Sequence, residues 1–126
     1  MSNLEVRERV YQDSESVASK YSFYDCDNPI VLFDSTSISS TGQQSFSQDI
    51  SYFRILVFCG LTSGAGWKVV ALPRIAFTSA TTNNYVIIAQ SISDTNRRIH
   101  IEYVDSTHFN IGYTQNTARL VIYGIK

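Results

Sequence analysis

Little in this sequence suits metal or nucleophilic chemistry: its 126 residues include only two histidines, two cysteines and no excess of either charge. Seven Arg and three Lys stand against seven Asp and four Glu, a net charge of −1. A chain that grips a polyphosphate backbone carries a clear basic excess, so nucleic acid is excluded as the expected partner. No apolar run approaches the ~20 residues a membrane helix needs, and membrane insertion is not expected. The opening MSNLEVRERV lacks the apolar stretch of a secretory signal. The chain is expected to be made in the cytoplasm, and to need some route other than ordinary secretion if it works outside a cell. Two cysteines cannot make a disulfide framework. Cys26 and Cys59 could form one bridge at most, and Cys59 inside RILVFCG reads better as a free, small buried hydrophobe.

What the chain has in quantity is hydroxyls and aromatics: 17 Ser, 10 Thr, 8 Tyr and 7 Phe. Leu and Ala are scarce from residue 21 onward. Aromatic and β-branched side chains suit a pleated, half-buried surface, and the strong helix formers are what this chain lacks. The expected class is all-β, and the length suits a single domain with a core of its own.

Residues 1–20 differ in character, holding three of the four Glu. Ser2 and Glu5 have capping-box spacing, and Val6, Val10 and Val17 make a thin helical stripe. Leu4, Val6 and Val10 also alternate, so this segment is expected to be a short helical or extended arm used for attachment or oligomerisation. Residues 21–126 read as one β-domain. KYSFYDC alternates and stops at the turn-forming Asp27-Asn28-Pro29. IVLFD follows, and Ile38 and Phe46 are spaced as inward residues of two strands around a turn at Thr41-Gly42. SYFRILVFCG is apolar on both faces, as in a central strand between two layers. GLTSGAGW is a turn region, and WKVVALPRIAF, NNYVIIAQSI, RRIHIEYV, HFNIGYT and ARLVIYG complete the series. Pro73 marks an edge or bend, because proline cannot donate to a ladder. Roughly eight to ten strands at this spacing predict an antiparallel β-sandwich or jelly roll. The closing TARLVIYGIK reads as a buried strand that runs to the last residue but one.

No catalytic constellation stands out. His100 alternates between Ile99 and Ile101, while His108 sits with Asp105 and Thr107 in a turn. Neither has zinc or triad spacing. Cys26 lies between Asp25 and Asp27, whose carboxylates would raise its pKa and blunt it as a nucleophile. Asp25, Asp27, Asp34, Asp49, Asp94 and Asp105 could supply two carboxylates for glycoside cleavage. They fall at strand ends, however, where Asp is favoured for turn chemistry alone. GLTSGAGW lacks the order of a phosphate-binding loop. The expectation is a protein that is not an enzyme and needs no cofactor or metal.

Binding remains. Trp67, Tyr85, Phe109 and Tyr113 border loop-like stretches, and SATTNNY and SDTNRR pair aromatics with amides and guanidinium groups. Sugars offer apolar faces and hydroxyl edges to such side chains. Trp67, Asn83, Asn84, Tyr85, Asn96, Arg97 and Arg98, on the loops 61–67, 79–85 and 93–98, are the candidate receptor-binding residues.

The order of IVLFDSTSISSTGQQSFSQDISYFRILVFCG, then WKVVALPRIAF, then LVIYGIK resembles the C-terminal head domains of tailed-bacteriophage tail fibres and tip proteins. Leu32-Phe33-Asp34, Thr41-Gly42, Asp49-Ile50-Ser51-Tyr52 and Ile122 to Lys126 carry the likeness, which spans about residues 30–126. The resemblance implies a homotrimeric head in a virion tail. Such a head binds a bacterial surface polysaccharide or outer-membrane protein and joins other tail proteins through its N-terminal segment. Heads of this kind cap long fibres, whereas only about 30 residues precede this one, so residues 1–20 would make the attachment unless the chain is a tip subunit or a piece of a fibre. The alternatives are a structural virion subunit, such as a capsid decoration or baseplate protein, and a small carbohydrate-active enzyme.

Overall fold

The computed structural model describes residues 27–35, 38, 41–64, 66–89 and 96–126. The expected arm at 1–20, the KYSFYDC strand with Cys26, and positions 93–95 lie outside the described residues. Among the described residues the strands are β1 (Ile30–Ser35), β2 (Gly42–Ser45), β3 (Ile55–Thr62), β4 (Gly66–Pro73), β5 (Val86–Ala89), β6 (Arg98–Asp105), β7 (His108–Gln115) and β8 (Thr117–Ile125). They form two antiparallel sheets ordered β1-β8-β3-β4 (sheet A) and β2-β7-β6-β5 (sheet B). The fold is the all-β sandwich expected from the sequence. Its pairing nests, β1 on β8 in one sheet and β2 on β7 in the other.

Period-two alternation builds the core. Leu56 and Phe58 of β3 and Leu120 and Ile122 of β8 have no exposed surface, and they face Ile99, Ile101, Phe109 and Ile88 of sheet B, also without exposure. Each such side chain contributes about 1.5–3 kcal/mol of transfer free energy. In β1 the register slips between Val31 and Phe33, a bulge that leaves Leu32 without a pairing partner. Leu32 is fully buried, while Phe33 meets Phe109 of the opposite sheet edge-on at 4.9 Å. Ser47 satisfies the bulge, its N–H donating to the Leu32 carbonyl and its hydroxyl to that of Val31, both at 2.7 Å. The helical turn α1 (Arg74–Phe77) closes one end, placing the Phe77 ring 5.1 Å from Phe58 and 5.7 Å from Tyr103.

Three local expectations are corrected. Ile38 and Phe46 are both buried, but Thr41-Gly42 is not a hairpin turn, because β1 and β2 lie in different sheets. WKVVALPRIAF is not one strand: Pro73 ends β4 on a sheet edge, and α1 starts at Arg74. β3 is interior to sheet A, yet its second face (Ile55, Val57, Cys59, Leu61) is half-buried, with no further described layer over it. Cys59 is a free thiol on that outward face, and partial burial raises its pKa.

Candidate functional site: two unlike sheet faces

Register fixes what each outer face displays, because directly paired antiparallel residues share a face. On sheet B one cross-strand row is Gln43, Asn110 and Glu102. The next is Tyr113, His100 and Ile87, and the third is Gln115, Arg98 and Ala89. Between the first two rows β7 bulges, so that Ile101 pairs with Ile111 while His100 pairs with Tyr113, and Gly112 is the extra residue. A Cβ at Gly112 would meet Glu102 Oε1 at 2.5 Å. Glycine there lets the Glu102 carboxylate lie down on the sheet, where it is 9% exposed and accepts a hydrogen bond from Asn110 Nδ2 at 2.8 Å.

His100 lies between two tyrosines. The Tyr85 ring stacks on it at 4.1 Å and 12°, and Tyr113 approaches from the other strand at 5.0 Å and 40°. Its Nε2 is buried without a hydrogen-bond partner. Burial, then the Arg98 charge, depresses its pKa below 6.5, with Glu102 opposing. The folded chain therefore resists protonating this ring. The neutral imidazole contributes stability that is complete above pH 6.5 and is lost as the pH falls through the folded pKa. Thermal melting followed from pH 7 to pH 5 should fall more steeply for the wild type than for His100→Phe, which stacks but does not titrate. Equal slopes would show that His100 is not the titrating group. Asp105, held at about 2 by the Thr107 backbone N–H and by His108, titrates well below this window.

Sheet A turns a different face outward. Its rows are Asp34, Val121, Cys59 and Val69, then Val31, Tyr123, Val57 and Ala71, with Ile125, Ile55 and Pro73 at one end and Arg119, Leu61 and Trp67 at the other. Val69 is 60% exposed and Val31 46%. Two adjoining recesses of roughly 190 and 330 Å³ share Cys59, Val69 and Tyr123. The charged groups are confined to one corner, where Arg119 Nε and a terminal guanidinium nitrogen bond Asp34 at 3.0 and 2.7 Å and hold its carboxyl below the usual range. The same guanidinium lies 5.9 Å from the Trp67 ring centroid.

The seven candidate residues are thus divided. Tyr85 and Arg98 belong to the outer face of sheet B, with Asn83 and Asn84 beside Tyr85 in the turn before β5. Asn84 is tied into that turn, its side chain donating to the Ser79 carbonyl at 3.1 Å. Trp67 is on the opposite sheet. Asn96 and Arg97 lie at the far end of β6, where Arg97 Nε donates to the Ser63 carbonyl at 3.0 Å and Asn116 Nδ2 to the Asn96 carbonyl at 2.6 Å. The loops around 61–67 and 96–98 therefore meet at one end of the sandwich, and 79–85 is at the other. Glu102, Asn110, Tyr113 and His100 were not among the candidates. For His100 and Glu102 the signal was the alternation of RRIHIEYV, whose polar members at every second position define one strand face.

Among the described residues no three His, Cys, Asp or Glu side chains gather where they could hold a metal ion. Comparison of the chain with protein-family models, with curated proteins and with solved structures finds no match.

Proposed function

We propose that this domain is a receptor-binding head of a bacteriophage tail fibre or tip, acting as a homotrimer on a bacterial surface polysaccharide or outer-membrane protein. The observation that carries the reading is the contrast between the two outer faces. Antiparallel sandwiches usually turn polar faces to water, yet sheet A turns out Val31, Val57, Val69, Tyr123 and Ile125. Four strands of six to nine residues make a face of about 500 Å², at the upper end of what monomers leave uncovered. Three copies around an axis would cover it and leave each sheet B face outward. The likeness of residues 30–126 to tail-fibre heads supports the same reading, and residues 1–20 are then the attachment to other tail proteins. Three weak sites per head give avidity through effective concentration. The test is staining of intact bacteria with the fluorescently labelled chain. Binding to some strains and not others is expected. A chain that stains no strain but binds purified virion proteins would instead be a structural subunit of the particle.

A further inference from the structure

We infer that the outer face of sheet B is a glycan-binding face for a neutral polysaccharide, with Tyr85 as its stacking platform and Gln43, Asn110, Glu102 and Gln115 as partners for sugar hydroxyls. This rests on the receptor-binding reading and names the receptor class and the surface. The platform is fixed in place: one side of the Tyr85 ring is stacked on His100, and the residue remains 38% exposed. A ring held by its neighbour loses little freedom when a pyranose lies on its open side. The polar groups are likewise oriented before any ligand arrives. Glu102 fixes the rotation of the Asn110 amide at 2.8 Å, and the Tyr113 hydroxyl donates to Gln115 Oε1 at 2.7 Å. Gln43 and Gln115 are exposed, and rows of amides with a carboxylate offer both donors and acceptors to vicinal hydroxyls. Charge settles the class. The three rows carry one guanidinium, Arg98, and one carboxylate, Glu102, and in the row beyond them the Asp105 carboxylate is paired with His108 at 2.9 Å, so the face favours neither an anionic nor a cationic polymer.

The experiment uses the full chain, fluorescently labelled, on a strain that it stains. Cells are treated with periodate, which cleaves vicinal diols, or with proteinase, and staining is repeated in high salt. Tyr85→Ala and the double variant Gln43→Ala/Gln115→Ala are compared with wild type, with thermal melting as a check that each is folded. Staining should be lost after periodate, survive proteinase and high salt, and fall about tenfold in Tyr85→Ala and several-fold in the double variant. The double variant alters only exposed amides, so it remains informative should Tyr85→Ala melt early. Loss on proteinase with survival of periodate would make the receptor a protein, overturning the glycan inference while the receptor-binding reading stands. Loss in high salt would overturn neutrality, because only charge recognition is screened. Folded variants that stain like wild type would place the site elsewhere. Failure to stain any strain would instead sink the receptor-binding reading itself.

Discussion

Gly124→Val should lower the melting temperature of the domain by more than 10 °C, or about 2–3 kcal/mol, the range for forcing extra carbons into a packed core. Gly124 sits in β8 opposite Ile30 on one side and Leu56 on the other, facing inward. A Cβ there would meet two atoms of the Phe53 ring at 2.6 Å and Leu32 Cδ1 at 2.9 Å. Neither neighbour can swing away, since Phe53 is 1% exposed and Leu32 fully buried. The glycine in VIYGIK thus answers to the bulge in β1 and to the segment that follows the 3-10 turn at Ile50–Tyr52, which bring large side chains onto the end of the central strand. Calorimetric melting of wild type and variant decides it. A variant within a degree or two of wild type would mean that Phe53 has room the structure does not give it.

Val69→Asp should have an equally large effect on assembly and almost none on the fold. Val69 lies on edge strand β4, is 60% exposed, and lines both recesses of sheet A. In an isolated chain its replacement by a solvated carboxylate should shift stability by no more than about 0.5 kcal/mol. At an interface made by this face the same carboxylate would be taken out of water among valines and a tyrosine, at a cost of several kcal/mol. That weakens association by a factor of a thousand or so. Sedimentation should therefore show wild-type trimer and monomeric variant with superimposable melting curves at low concentration. If both sediment alike, the proposed interface is not on sheet A.

How far the sequence could be read depended on which interactions were local. Alternation and turn chemistry are local, which is why the series of strands and the all-β sandwich were legible, and Pro73 likewise marked an edge position. Partition between sheets is not local. The spacing of Ile38 and Phe46 shows that both point inward, but two inward residues are equally consistent with a hairpin and with β1 in one sheet and β2 in the other. The candidate site failed in the same way. Trp67 and Tyr85 have the same vocabulary, an aromatic beside polar loops, and only the pairing of β4 with β3 and of β5 with β6 puts them on opposite faces. Glu102 was overlooked because a lone carboxylate in an apolar strand looks like a solvent-facing position. Its burial depends on Gly112, which is ten residues away in sequence and adjacent only through the bulged β6–β7 pairing.

The two faces assign different work to the two sheets, and the division can be tested by substitutions that do not overlap. Changes on sheet A should alter mass and avidity while leaving single-site recognition intact, whereas changes at Tyr85 or Gln115 should alter recognition and leave mass unchanged. Multi-angle light scattering of the wild-type chain addresses this most directly, because the proposal begins from an apolar face that another copy must cover. The expected result is a particle of three times the 14.2 kDa chain mass that persists on dilution into the micromolar range. A species of 14.2 kDa throughout would contradict it, leaving sheet A uncovered in solution.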